Sequence, residues 1–114
     1  MIVKNLSKKT DVSRNAQLLD SVFSQAIGLM LSRNKNNALI FKFKREKIIS
    51  LHMLFVFYQI DVLFLNKNRI VVDKKENFKP FTLYMSKKKA MYAVEMPNGI
   101  IKKTKTELGD MIGF

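Results

Sequence analysis

A chain of 114 residues with 47% hydrophobic content has the length of one domain, residues 1–114, and enough apolar material for a packed core. It has no cysteine, which excludes disulfides, thiolate nucleophiles and cysteine-based zinc or iron–sulfur sites; with one histidine, His52, and scattered carboxylates, neither metal nor cofactor is expected. The formal charge of +12 suits attraction to polyanions, but it comes mostly from lysine in a chain also rich in asparagine and isoleucine, a bias that composition alone can produce.

The opening MIVKNLSKKT holds no apolar run long enough for a signal peptide, so a cytoplasmic location is expected. Up to about Arg14 the chain reads as a short strand or a frayed end. Leu18, Leu19, Val22, Phe23, Ala26 and Ile27 then recur at three- and four-residue spacing, which predicts a helix capped by Asp20 or Ser21 and stopped near Gly28. Ser32–Asn37 has the polar chemistry of a loop. From Ala38 the period becomes two, most clearly in Ile40-Phe41-Lys42-Phe43-Lys44, a half-buried strand with phenylalanines on one side and lysines on the other.

Ile48–Leu65 approaches the length of a membrane span, but Asp61 would lie deep in lipid, and Val, Phe and Ile enrichment broken by Tyr58-Gln59 suits two consecutive buried strands. No membrane partner is expected. Ile70-Val71-Val72 begins a strand that grows charged, as edge strands do. Phe78–Phe81 reads as a loop and Thr82–Met85 as a short strand. Ala90–Met96 alternates with Glu95 on the face of Met91 and Ala93, Ile100–Lys105 makes a helical turn, and Met111–Phe114 closes as a strand. The fold class predicted is mainly β, a small antiparallel sandwich or barrel with one or two short helices.

Several segments together resemble the domain-of-unknown-function 192 family: Gly28-Leu29-Met30, Ala38-Leu39-Ile40-Phe41, Ser50-Leu51-His52-Met53, Ile60-Asp61-Val62-Leu63-Phe64-Leu65, Tyr92 to Gly99, and Gly109-Asp110. The resemblance runs from about residue 20 to 114. It implies a small β sandwich or barrel with short helices and no established activity. The family's Gly-Leu-Met segment commonly continues with an aromatic and an arginine; here Leu31 and Ser32 follow, and the nearest arginine is Arg33. Gln59 stands where many relatives have proline, and His52-Met53 resembles the archaeal-type, cytoplasmic variant.

Two readings are open for Asp61, which period two places with Leu63 and Leu65. It is either a pocket acid with a raised pKa that orients a ligand or moves a proton, or a structural acid bonded to turn amides or a cation. A two-residue hairpin at Tyr58-Gln59 would set His52 opposite Leu65, away from Asp61. Glu95 faces a pocket or ties the Pro97-Asn98-Gly99 turn. The chain contains neither a Gly-x-Ser-x-Gly motif nor a phosphate-binding glycine loop.

The expected function is a small binding or accessory domain for an unidentified ligand or protein, acting through Met30, Arg33, His52, Asp61 and Glu95. One alternative is nonspecific nucleic-acid or acidic-partner binding through Lys87, Lys88, Lys89, Lys102, Lys103 and Lys105. The other is an enzyme using Asp61 with His52 or Glu95.

Overall fold

The computed structural model describes residues 1–20, 37–52 and 58–114, with the backbone alone for His52. Ten strands and one helix are found among them: β1 Val3–Asn5, β2 Thr10–Ser13, β3 Ala16–Asp20, β4 Ala38–Lys47, β5 Ser50–His52, β6 Ile60–Leu65, β7 Val71–Phe78, β8 Leu83–Met85, β9 Ala90–Pro97, α1 Ile100–Thr104 and β10 Ile112–Gly113. The fold is mainly β with antiparallel sheets, as the alternating and doubly apolar stretches predict.

At the centre lies a five-stranded sheet in the order β3-β4-β9-β6-β7. All six residues of β6 are buried, because both faces of this sheet are covered. Leu63 and Leu65 enter one core with Val3, Val12, Ile40, Val94, Met96, Ile101 and Ile112, against the three-stranded sheet β10-β1-β2 and α1. Ile60, Val62 and Phe64 enter a second core with Leu39, Phe41, Ile49, Phe78 and Ala93, against the ribbon β5-β8. This is why Ile60–Leu65 lacks the polar alternation of a solvent-facing strand. β4 follows suit: Phe41 is buried and Phe43 half-buried, while Lys42 and Lys44 are exposed. β7, with its charged Asp73-Lys74-Lys75-Glu76, is an edge strand pairing with β6.

Three expectations are corrected. Leu18 and Leu19 belong to β3, which runs parallel to β4 with Leu18 opposite Ile40 and Leu19 opposite Phe41, so no helix begins there. Pairing with an apolar neighbour strand outweighs a short i, i+1, i+4 pattern that also fits a helix. The rest of that predicted helix, from Val22 to Ile27, lies outside the described residues. β3–β4 is the parallel pair of the central sheet, and its β4–β9, β9–β6 and β6–β7 pairs are antiparallel.

Tyr58-Gln59 does not join a hairpin either: β5 pairs with β8, placing His52 opposite Leu83, whereas Leu65 lies opposite Tyr92 and Val71. Finally, Phe78 ends β7 rather than opening a loop. The first fourteen residues supply β1 and β2.

Candidate functional site

Four acids are buried among the described residues: Asp61, Asp73, Glu95 and Asp110. An ionised carboxylate withdrawn from water needs donors to replace its hydration. Asp61, 0% exposed, finds four. Its Oδ1 accepts from the Asn77 backbone amide at 3.1 Å and Asn98 Nδ2 at 3.1 Å; its Oδ2 accepts from the Gly99 and Ile101 amides, each at 3.0 Å. Asn98 Nδ2 also donates to Asn77 Oδ1 at 2.6 Å, which locks the two turns together. Gly99 takes φ 94°, and with no side chain of its own to cap α1 it leaves the first-turn amides to Asp61, some forty positions earlier in the chain. The carboxylate therefore joins β6, the end of β7 and the β9–α1 turn at one point.

Asp73 does the same on the opposite face of the sheet, where it lies beside Phe64. It accepts from Tyr84 Oη, the Lys87 amide and its neighbour Lys74's amide, each at 2.8 Å. Burial against Phe64 and Phe78, with ring centroids at 5.7 and 6.2 Å, and the Asp73 carboxylate beside it push the Tyr84 phenol up to about 12.

Asp110 binds Asn5 Nδ2 at 2.9 Å, the Glu107 amide at 2.9 Å and Lys8 Nζ at 3.0 Å. Burial pushes its carboxyl up, but the hydrogen bonds from Asn5, Glu107 and Lys8 outweigh this and hold it below the usual carboxylate value. Asn5 also donates to Thr106 Oγ1, which bonds Thr104 Oγ1, so this network fastens the β1–β2 hairpin to the segment after α1.

Glu95, 1% exposed, lies opposite Leu39 and Val62, both in the second core, whereas Asp61 lies opposite Met96 in the first. The two acids thus occupy opposite faces of the central sheet and do not converge. Asp61 holds the Asn98-Gly99 turn, which was one of the two roles open to Glu95. His52 has its backbone in the β5–β8 ribbon, a different sheet from Asp61. Met30 and Arg33 lie outside the described residues. Lys87, Lys88 and Lys89 are exposed in the turn that Asp73 holds on the second-core side of the central sheet, whereas Lys102, Lys103 and Lys105 are exposed on and just after α1, which packs on the first-core side. Among the described residues no group of three or more His, Asp or Glu side chains forms a metal-binding cluster. No described helix is long and apolar enough to cross a membrane.

Sequence reasoning overlooked Asp73 and Tyr84: a register shift between the Leu65–Val71 and Phe64–Asp73 pairs puts Val71 in the first core and Asp73 beside Phe64 of the second, so simple alternation along β7 gives no signal.

With this geometry in place, the sequence profile described as "DUF192: Uncharacterized ACR, COG1430" matches residues 3–114. The chain belongs to the DUF192 family. A UPF0127 protein of Thermococcus sibiricus is 37% identical over 116 residues, covering 100% of this chain and 74% of that protein. A UPF0127 protein of Thermococcus kodakarensis is 40% identical over 100 residues, covering 86% of this chain and 63% of that protein, so this chain spans less than two thirds of that relative's length. The fold is similar to the crystal structure of a protein of unknown function from Novosphingobium aromaticivorans, with a TM-score of 0.81 at 19% identity over 99% of this chain and 82% of that one. The DUF192 match begins at residue 3, so it takes in β1 and β2, which the resemblance from about residue 20 had left out. DUF192 is an uncharacterised family, and the functional reading therefore rests on the side chains themselves.

Proposed function

We propose that this DUF192 chain is a cytoplasmic binding or accessory domain rather than an enzyme. The observation that carries this reading is Asp61: both of its oxygens are consumed by the Asn77, Gly99 and Ile101 amides and the Asn98 side chain, which suits a fastening and leaves little for proton transfer. The separation of Asp61 from Glu95 across the sheet supports the same conclusion, since a two-carboxylate mechanism needs both acids at one reacting centre. Met30, Arg33 and His52 are proposed contributors to the ligand surface. Nonspecific capture of nucleic acid is the weaker reading, because its two lysine groups lie on opposite faces of the central sheet and Phe41, Phe64, Phe78 and Tyr92 are buried, away from any base.

The test is prolonged incubation of the protein with phosphoesters, carboxylic esters and amides, followed by proton NMR, alongside Asp61→Asn. The expected result is no turnover above buffer. Turnover that is lost in an Asp61→Asn protein still folded at the assay temperature by circular dichroism would overturn the reading.

A further inference from the structure

The segment Lys79–Lys87 inverts the usual amphipathic pattern. Phe78 and Ser86 are buried and Tyr84 half-buried against the second core, while the odd-numbered positions face solvent: Phe81 is 64% exposed, Leu83 54% and Met85 56%. Lys79 and Lys87, both exposed, bracket this apolar row. Lys88 and Lys89 extend the basic end, and no acidic residue occurs between Asn77 and Val94. The basic turn is built rather than loose. Asp73 Oδ2 holds the Lys87 amide at 2.8 Å, and Ser86 Oγ accepts from the Ile49 amide at 2.9 Å while donating to the Lys88 carbonyl at 2.8 Å.

We propose that the outer face of β8 is a contact site for an anionic lipid surface, with Phe81, Leu83 and Met85 entering the interface and Lys79, Lys87, Lys88 and Lys89 meeting headgroup phosphates. Charge complementarity selects this occupant: a row of apolar side chains with lysines at both ends matches the apolar interior and negative headgroups of a cytoplasmic leaflet. A single-stranded nucleic acid fits less well, because two of the three exposed apolar side chains are aliphatic and offer no face on which a base can stack. The contact is peripheral, so it requires no membrane-spanning segment. It is also independent of the Asp61 reading, because none of these residues bonds to Asp61.

Co-sedimentation with vesicles of phosphatidylcholine containing 30% phosphatidylglycerol tests the proposal, with pure phosphatidylcholine vesicles for comparison. Binding is expected to the anionic vesicles only. Lys87→Glu/Lys89→Glu should weaken it by at least about thirtyfold, given two lysines withdrawn from an anionic surface. Leu83→Ser/Met85→Ser should weaken it by about tenfold or more. Leu108→Ser, a change at another exposed apolar residue, should leave it unchanged. Circular dichroism checks that each variant folds, and the solvent-facing lysine variant decides the matter if the serine variant does not. Absence of binding to anionic vesicles would overturn the proposal. So would equal weakening by Leu108→Ser, or binding that is indifferent to Leu83→Ser/Met85→Ser and displaced by oligo-dT or polyglutamate, which would mean the lysines gather any polyanion.

Discussion

Replacing Asp61 tests how a strand carboxylate organises two distant turns. In Asp61→Asn the remaining carbonyl oxygen can stay on the Gly99 and Ile101 amides, the inner pair, which turns an NH2 group toward the Asn77 amide and Asn98 Nδ2. Two charge-assisted bonds are then lost at about 1.5–3 kcal/mol each, but Asn77 and Asn98 are exposed and water relieves part of the cost. The net loss is about 2–3 kcal/mol. Asp61→Ala removes all four acceptor contacts and strands the amide of buried Ile101, for a loss of about 4–5 kcal/mol. At this chain length each kcal/mol lowers the melting temperature by about 4 °C. Thermal unfolding at pH 7 by circular dichroism should therefore fall by about 8–12 °C for Asp61→Asn and about 16–20 °C for Asp61→Ala. An Asp61→Ala protein within about 1 kcal/mol of the parent in urea titration would refute the reasoning, because four buried-side hydrogen bonds cannot vanish at so little cost.

Other expectations follow from the same networks. Tyr84, held up to about 12 by burial and then by Asp73, keeps its proton in the folded state where the unfolded chain, near 10, loses it; stability from this group is full below pH 10 and fades as pH rises toward 12. Absorbance at 295 nm should show one late-titrating tyrosine that disappears in Tyr84→Phe and titrates earlier in Asp73→Asn; no late phase would count against the Asp73 contact. Asp110 lies below its ordinary value near 3.8, so its contribution is present above that pH and is lost as pH falls through the lowered value. Lys8→Met should flatten this acid loss in urea titrations between pH 4 and 2, and an unchanged slope would contradict the network. Gly99→Ala should cost about 1 kcal/mol although nothing lies within 4 Å of the added methyl, because the strain is in the positive φ. Gly113→Ala should cost less in the same melting assay, since the methyl meets only the exposed, movable side chain of Leu6 at 3.0 Å.

Much of the fold is legible in the residues. The apolar run of β6, interrupted only at Asp61, announces a strand covered on both faces, and the charges of β7 announce an edge. The phase of Asp61 with Leu63 and Leu65 is also readable, as is its choice between a pocket and turn amides. What the sequence conceals is pairing at a distance. β3 takes its identity from a parallel neighbour more than fifteen residues away, and β5 finds β8 rather than the adjacent β6. The donors around Asp61 arrive from positions 16 to 40 residues later, so no local pattern reveals that its oxygens are filled. Glu95 is misleading for the same reason. It stands next to the turn in sequence, but alternation turns its side chain to the other face of the sheet.

The central claim, that Asp61 fastens the β9–α1 turn, is open to direct observation by NMR. Scalar couplings across hydrogen bonds should connect the Gly99 and Ile101 amide nitrogens to the Asp61 side-chain carboxyl carbon, with both amides exchanging slowly. Fast exchange of the two amides and no coupling to that carbon would contradict it.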